Sequence, residues 1–260
     1  MLEVQDLHIA FPDRAGDLQE AVKGISFSIA DGEILGIVGE SGSGKTQTAL
    51  AMAGLSPRKA QLRGKILLDG RDLMPLSREE IRKVQGKEIA IVFQEPMTSL
   101  NPTMRIGRQV EEVLTIHTNL SKEERKQLAL QALHDVELPD VEKIYAKYPH
   151  ELSGGQRQRV MIASAIIGNP KLLIADEPTT ALDVTIQAEI LKLLQKLNRE
   201  KNMSVLFISH DLRVIRKLCS RVAVMNRGEI VEQGDVETVF LHPQDPYTRK
   251  LIDSIPVRRR

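Results

Sequence analysis

The sequence predicts an α/β fold with a parallel sheet, an antiparallel β segment at the start of the chain and an inserted helical segment. Three observations lead to this prediction. Short apolar runs alternate with helical patterns, the first segment shows the period-two pattern of half-buried strands, and the composition after Gln94 becomes charged and rich in Leu, Glu and Lys. With 260 residues, 42% of them hydrophobic, the chain is long enough to bury a substantial core.

Charge and cysteine content exclude several classes of function. The 36 basic and 35 acidic residues nearly cancel, which does not favour a nucleic-acid-binding protein despite the basic run Arg258–Arg260. The single cysteine, Cys219, excludes an internal disulfide and any cysteine-rich metal site built from this chain alone. We expect no signal peptide at Met1–Asp6 and no membrane span, since the apolar runs are shorter than the roughly 20 residues that cross a bilayer.

Alternating apolar residues predict two antiparallel strands, at Leu2–Ile9 and Val22–Ile29. Glu33–Val38 is an almost wholly apolar run between turn residues, which is typical of a buried parallel strand. A glycine-rich loop follows it, and then a helix is predicted over Thr46–Leu55. Strand, loop and helix therefore follow one another directly.

Three further apolar runs predict buried strands, at Ile89–Phe93, Leu172–Ala175 and Val205–Ile208. Apolar residues at three- and four-residue spacing predict a helix over Thr185–Asn198. The segment Val222–Val231 contains a glycine between two apolar runs and predicts a β-hairpin.

The glycine-rich loop Gly39–Thr46 fits G-x-x-x-x-G-K-[ST] at every fixed position. Glycines let backbone N–H groups point inward at the positive end of the following helix, where phosphate oxygens bind. Lys45 supplies charge for the β- and γ-phosphates of a nucleotide, and the Thr46 hydroxyl can ligate Mg²⁺. The loop alone leaves kinases, GTPases and many ATPases open. The candidate nucleotide ligands in and beside it are Gly39, Glu40, Ser41, Gly42, Ser43, Gly44, Lys45, Thr46 and Thr48.

The apolar run Leu172–Ala175 ends in two adjacent carboxylates, which we expect to be exposed at the carboxyl edge of a buried sheet. Asp176 would hold Mg²⁺ directly or through water, and Glu177 would act as the general base that polarises the attacking water. Taken alone, this pair is equally compatible with a solvated strand end. Downstream of a phosphate-binding loop, the catalytic interpretation is favoured.

A second glycine-containing segment, Leu152–Gln156, precedes a helix predicted over Arg157–Ile167. A serine and two glycines at a helix start again offer backbone donors for phosphate. Residue chemistry alone leaves a flexible loop with a helix cap equally open.

Taken together, these segments resemble the ATP-binding cassette (ABC) family over essentially the whole chain. Leu152–Gln156 is similar to the family signature, Gln94 occupies the Q-loop position, Ala181–Asp183 resembles the D-loop and His210 resembles the switch histidine. The resemblance implies a single ABC ATPase domain of the P-loop NTPase type. Residues 1–94 and 162–260 would form the nucleotide-binding core with its antiparallel β subdomain, and residues 95–161 the helical subdomain.

The resemblance also implies a head-to-tail dimer in which each Mg-ATP lies between one subunit's phosphate loop and the other's signature. Gln94 would contact Mg²⁺ and link it to the helical subdomain, and His210 would contact the γ-phosphate. Phe11 would stack on adenine, although core packing explains this residue equally well. The isolated chain should hydrolyse ATP slowly. Ser153, Gly155 and Gln156 would contact the partner's nucleotide, and Gly154 and Asp183 are further candidate nucleotide ligands.

Two segments, Ile91–Pro102 and His242–Thr248, resemble the oligopeptide, dipeptide and nickel importer branch of the family. This implies a second, different ATPase subunit, two integral membrane permease subunits and an extracytoplasmic binding protein, with this chain peripheral on the cytoplasmic face of the membrane. Many peptide-importer ATPases carry a C-terminal cysteine cluster. Because this chain has only Cys219, we expect no iron–sulfur cluster, and cargo of nickel or a metallophore is mildly favoured over peptides.

Two other function classes fit the sequence less well. A soluble ABC ATPase of DNA repair or translation is disfavoured, because the sequence has no long heptad insertion, no second cassette, no cysteine-based zinc module and no basic surplus. A P-loop kinase acting on a small molecule would leave Leu152–Gln156 and Ala181–Asp183 unexplained.

Overall fold

The computed structural model describes residues 1–13, 16–94, 99–180 and 182–255. The chain divides into two compact units. The first contains Met1–Ile81 and the chain from Ser204 onward, and the second contains Arg82–Met203. The predicted subdomain boundaries at residues 95 and 161 remain a prediction.

The elements alternate as an α/β fold requires. The strands, in chain order, are β1 (Leu2–Pro12), β2 (Leu18–Ile29), β3 (Ile34–Val38), β4 (Gln61–Leu68), β5 (Arg71–Asp72), β6 (Ile89–Val92), β7 (Leu172–Asp176), β8 (Ser204–Ser209), β9 (Arg221–Asn226) and β10 (Glu229–Asp235).

The helices follow the same chain order. They are α1 (Lys45–Met52), α2 (Arg78–Val84), α3 (Ile106–Val110), α4 (Glu112–His117), α5 (Lys122–Asp135), α6 (Val141–Ala146), α7 (Gly154–Ile166), α8 (Val184–Lys201), α9 (Leu212–Leu218), α10 (Val236–Leu241) and α11 (Pro246–Asp253), with a 3₁₀ turn at Pro149–Glu151. No helix in the described part of the chain is both long and apolar enough to cross a bilayer.

The first unit contains an antiparallel sheet in the order β2-β1-β4-β5. Leu2 pairs with Ile29 and Val4 with Phe27, so the alternate apolar side chains of both strands are buried on one face, as predicted. Strands β4 and β5 were not predicted. Only Ile66 and Leu68 of β4 are fully buried, and its other positions are too polar for an alternating pattern to be recognised.

A second group of strands in the first unit has the order β10-β9-β3-β8, in which β10 is antiparallel to β9. Strand β3 pairs in parallel with both β8 and β9, and every residue of β3 and β8 is buried, which matches the predicted apolar runs. Val38 at the end of β3 lies opposite Ser209 at the end of β8. The residues that follow these two strands therefore start from the same carboxyl edge.

The second unit contains the parallel pair β6 and β7 together with helices α3 to α8. Val92 lies opposite Ala175, so both strands end at one edge. Gln94 lies just beyond the end of β6, Asp176 is the last residue of β7, and Glu177 follows it. The predicted helical segment is confirmed by helices α3 to α6. Its first residues, 95–98, lie outside the described part of the chain.

Candidate functional site

The glycine-rich loop joins β3 to α1 in the first unit, and two of its glycines are required by close backbone approach. A Cβ atom on Gly39 would lie 2.1 Å from the carbonyl oxygen of Met225. Gly44 has φ +103°, and a Cβ atom there would lie 2.7 Å from the carbonyl oxygen of Ala21. The loop is therefore packed closely against the backbone carbonyl groups of Met225 and Ala21.

The side chain of Lys45 lies inside the glycine-rich loop. It is only 5% exposed, and its Nζ donates hydrogen bonds to the carbonyl oxygens of Gly39 at 2.8 Å and Glu40 at 2.9 Å. The ammonium group is therefore held by carbonyls in the centre of the glycine-rich loop, and its contact with a bound phosphate stays a prediction.

The two threonines of α1 differ in exposure. Thr46 is exposed, so its hydroxyl is open to a ligand. Thr48 is fully buried, and its Oγ1 donates to the carbonyl oxygen of Gly44 at 3.0 Å, which ties the loop to the first helical turn. The predicted contact between Thr48 and nucleotide stays a prediction.

His210 follows β8, on the same carboxyl edge from which the loop starts, and its side chain is exposed. The next residue, Asp211, caps α9 by accepting a hydrogen bond from the Arg213 backbone N–H at 2.8 Å. Burial raises the pKa of Asp211, but hydrogen bonds from Arg213 outweigh it and hold this pKa below its usual value. The remaining candidate of this unit, Phe11, is half-buried in β1, and its stacking on adenine stays a prediction.

In the second unit, Gln94 and Glu177 meet at the shared edge of β6 and β7. Gln94 Nε2 donates to Glu177 Oε2 at 3.2 Å, and Thr180 Oγ1 donates to the same oxygen at 2.9 Å. The expectation that both carboxylates are exposed is wrong for Asp176, which is 4% exposed. It is the last residue of a strand whose residues are all buried, whereas Glu177 is already in the following turn.

The signature segment forms the start of α7. The Ser153 hydroxyl accepts from the Gln156 N–H at 3.3 Å, and the Ser153 N–H donates to Gln156 Oε1 at 3.1 Å, which is a capping box. Ser153 and Gly154 are exposed. A Cβ atom on Gly155 would lie 3.0 Å from Ile186 Cγ2 of α8, so the two helix starts are in close contact.

The second helix start carries Asp183. Its carboxylate is the N-cap of α8 and accepts from the N–H groups of Thr185 at 3.0 Å and Ile186 at 2.9 Å. Its neighbour Leu182 is 4.0 Å from the position of a Cβ atom on Gly154. Ala181, the first residue of the predicted D-loop, lies outside the described residues.

Each unit thus brings together some of the candidate site residues selected from the sequence. The first joins the loop and His210 at one edge, and the second joins Gln94 to Glu177 and the signature to Asp183. Sequence reasoning missed two further residues: Thr180, which holds Glu177, and Tyr247, whose hydroxyl accepts from the Glu40 N–H at 2.9 Å. The recognised segment His242–Thr248 contains Tyr247, but no local pattern indicates its contact with the loop, 207 residues away in the sequence, or the contact of Thr180 with Glu177.

Comparison with known proteins identifies the family of this chain. A family profile described as ABC transporter matches residues 22–180. The chain belongs to the ABC transporter family. It is 52% identical over 258 residues to the oligopeptide transport ATP-binding protein OppD of Bacillus subtilis (strain 168), covering 98% of this chain and 72% of that protein. It is 48% identical over 258 residues to the dipeptide transport ATP-binding protein DppD of Lactococcus lactis subsp. cremoris (strain MG1363), covering 98% and 74% respectively.

Solved structures agree on the ABC ATPase fold. The dimeric post-hydrolysis structure of the ATP-binding cassette MJ0796 bound to ADP and Pi has a TM-score of 0.80 at 30% identity, covering 91% of this chain and 99% of that chain. The structure of cbiO1 from Clostridium perfringens, part of the ABC transporter complex cbiONQ, has a TM-score of 0.78 at 31% identity, covering 98% and 95%. The predicted fold and the predicted branch are confirmed, and the chain is an ATP-binding ABC transporter ATPase.

Proposed function

We propose that this ATPase uses Glu177 as the general base for ATP hydrolysis. The observation that carries the proposal is the position of its carboxylate, where Gln94 and Thr180 both donate to Oε2. Two donors on one oxygen fix the orientation of the side chain, and a carboxylate held in this way can take a proton from a water molecule. The role of the base is then to raise the nucleophilicity of that water at the γ-phosphate.

The phosphates would be bound by the loop Gly39–Thr46. Its backbone N–H groups and the Lys45 ammonium supply positive charge, which stabilises the negative charge that develops during phosphoryl transfer. The exposed His210 would contact the γ-phosphate, and Thr48 would support the loop through its bond to Gly44. Support for these roles comes from the geometry of the loop and from the family motifs.

A magnesium ion bound with ATP would neutralise part of the negative charge of the phosphates. The candidate ligands are the Thr46 hydroxyl, the Asp176 carboxylate and the Gln94 amide, all of which offer the oxygen donors that Mg²⁺ prefers. No cluster of three or more His, Cys, Asp or Glu side chains suited to a metal is found among the described residues.

The signature would serve a partner's nucleotide. Support comes from the exposure of Ser153 and Gly154 at the start of α7, beside the exposed cap Asp183. A helix N-terminus with free access to solvent can accept a phosphate from another subunit. The partner is proposed to be a second, different ATPase subunit in a head-to-tail dimer.

The transporter is proposed to import peptides. The curated relatives that support this cargo are named for oligopeptide, dipeptide or peptide transport, at 46% to 52% identity. Cargo of nickel or a metallophore, which the single cysteine mildly favoured, is the competing proposal. In either case two permease subunits and an extracytoplasmic binding protein would complete the importer, with this chain peripheral at the cytoplasmic face of the membrane.

The role of Glu177 is tested with Glu177→Gln in the complex with its membrane subunits. We expect ATP binding to be retained and turnover to fall by about a hundredfold or more, because the amide cannot accept a proton. Glu200→Gln, which neutralises an exposed glutamate of the same unit, should hydrolyse ATP normally. Turnover by Glu177→Gln at the wild-type rate would show that another group is the base.

The cargo is tested by uptake into vesicles that contain the complete transporter. Labelled di-, tri- and oligopeptides and nickel chelates are offered in parallel, with ATP on the side of this chain. We expect ATP-dependent uptake of peptides, which the Glu177→Gln complex should lack. Uptake of nickel chelates with no uptake of peptides would reverse the assignment of cargo while leaving the ATPase role intact.

A further inference from the structure

The phenol of Tyr247 is in direct contact with the phosphate loop. Tyr247 is the second residue of α11, and its hydroxyl oxygen accepts a hydrogen bond from the Glu40 backbone N–H at 2.9 Å. Both residues belong to the first unit. Burial raises the pKa of Tyr247, so the hydroxyl stays protonated and neutral at physiological pH.

The same peptide group is also bound at its other end. The N–H of Glu40 and the carbonyl of Gly39 belong to one planar peptide group. Lys45 Nζ donates to this carbonyl at 2.8 Å, while Tyr247 accepts from the N–H. Because the N–H and C=O of a trans peptide group lie in one rigid plane and point in opposite directions, the bond to Tyr247 restricts the orientation of the carbonyl that Lys45 contacts.

The tyrosine is itself held in place by short-range contacts. Asp245 caps α11 and accepts from the Tyr247 N–H at 2.8 Å. The N–H groups of Gln244 and Asp245 donate to the two carboxylate oxygens of Glu232 on β10, at 2.9 Å and 3.1 Å. These bonds connect the hydroxyl to the sheet of the first unit, so it provides a fixed acceptor and not a mobile one.

We propose that Tyr247 is a positioning residue of the nucleotide site: its hydroxyl orients the Gly39–Glu40 peptide and, through it, the ammonium group of Lys45. This rests on the proposed role of the loop in phosphate binding. Tyr247, which in the sequence served only as part of the segment that identifies the branch, thereby acquires a role in binding ATP, and no such role is assigned to its neighbour Thr248.

The test is Tyr247→Phe, which removes the hydroxyl and keeps the ring. ATP affinity of the full chain is measured by equilibrium dialysis, and KM and kcat are measured in the transporter complex. Loss of one neutral hydrogen bond should weaken ATP binding and raise KM by about three- to tenfold, with kcat nearly unchanged. Wild-type affinity in Tyr247→Phe would overturn the proposal.

A matched control is Thr248→Val at the neighbouring position of α11. Thr248 is 1% exposed, and its hydroxyl makes no hydrogen bond within the described part of the chain. We expect wild-type affinity and KM for this variant. If Thr248→Val weakens ATP binding as much as Tyr247→Phe, the effect comes from the packing of α11, and the proposal fails.

A third variant, Lys45→Ala, distinguishes a failure of the proposed role of Tyr247 from a failure of the proposed phosphate site. Lys45→Ala should lose most of its ATP affinity. If it does while Tyr247→Phe binds normally, the loop is the phosphate site and the tyrosine does not position it. Wild-type binding by Lys45→Ala would instead refute the role of the loop itself.

Discussion

The backbone of Glu177 is in a conformation that few residues other than glycine adopt. Its φ is +48°, in the left-handed region, directly after the last residue of β7. The Thr180 N–H donates to the Glu177 carbonyl oxygen at 3.1 Å, which closes a tight turn, and the Thr180 hydroxyl binds the carboxylate. Backbone strain of this kind often lies at functional sites, where surrounding bonds enforce it. The turn thus places the candidate base just outside the buried strand.

The candidate site residues could be selected from sequence, but their surroundings could not be predicted. Lys45 lies in a recognisable loop, and Asp176 and Glu177 lie at the end of a recognisable apolar run, so their types and spacing make them candidates. The burial of Asp176 depends on where β7 ends, within one residue, and periodicity does not resolve this. Tyr247 depends on a contact across 207 residues, and nothing in the local sequence encodes such a contact.

His8 provides a prediction about pH at the residue scale. It lies between two carboxylates of the antiparallel sheet, with Nδ1 3.0 Å from Glu20 and Nε2 3.2 Å from Asp6. The hydrogen bond to Glu20 is the largest of the effects that raise the pKa of His8 above its ordinary value of 6.5. Because the folded state binds this proton more tightly than the unfolded state, the fold is stabilised at pH values below the ordinary pKa of 6.5. This stabilisation is lost as the pH rises through the folded-state pKa.

We therefore expect the melting temperature of the wild type to fall slightly between about pH 6 and about pH 8 relative to that of His8→Gln. The size should be small because the side chain is partly exposed. Differential scanning calorimetry across this range is the measurement. The control is His242→Gln, at an exposed histidine, which should follow the wild-type curve. Parallel curves for the wild type and His8→Gln would contradict the assignment.

At the scale of elements, the best-predicted parts are those that are buried on both faces. Strands β3, β7 and β8 are buried along their whole length and mostly apolar, and the sequence locates them to within a residue or two. Strand β4 was missed because its exposed face and its ends carry Gln61, Arg63 and Lys65. Helix α7 starts at Gly154, three residues before the predicted Arg157, because the capping box at Ser153 allows two glycines in the first turn.

Helix α8 provides a prediction that separates the structural role of Asp183 from its proposed contact with nucleotide. Asp183→Ala removes the N-cap bonds to two backbone N–H groups, which should cost about 1 kcal/mol of unfolding free energy. A loss of that size corresponds to roughly 2–4 °C in melting temperature for a chain of this length. Asp183→Asn keeps a capping side chain and should melt close to the wild type, as measured by circular dichroism.

The variants Asp183→Ala and Asp183→Asn also test the proposed contact of Asp183 with nucleotide. If Asp183→Asn is stable and yet hydrolyses ATP slowly in the complex, the charge of the residue acts at the nucleotide site beyond its capping role. Equal melting temperatures for the Ala and Asn variants would show that the cap contributes nothing to the stability of α8.

At the scale of the whole molecule, the chain carries two helix starts suited to phosphate. One follows the loop Gly39–Thr46 in the first unit, and the other is the capping box Ser153–Gln156 in the second. Under the proposed head-to-tail arrangement these two sets serve different nucleotides. Activity then belongs to the pair of ATPase subunits, and ATP can drive transport only through its differential affinity for their closed and open states.

This arrangement predicts which subunit loses nucleotide when each set is disrupted. The two different ATPase subunits are labelled in the complex with photoreactive azido-ATP and separated by size. Lys45→Ala in this chain should reduce labelling of this chain, because its own loop holds that nucleotide. Ser153→Arg should reduce labelling of the partner subunit and spare this chain, because the bulky cation replaces the exposed cap of α7.

The control for Ser153→Arg is Ser121→Arg, which disrupts the same kind of capping box at the start of α5. Both substitutions remove a serine cap in the second unit, so any general loss of helix stability should be similar. Only Ser153→Arg should change nucleotide labelling. If Ser153→Arg instead lowers labelling of this chain and spares the partner, the signature acts on the chain's own nucleotide. The proposed exchange of half-sites between subunits would then be wrong, because the same chain would supply both the loop and the signature to one ATP.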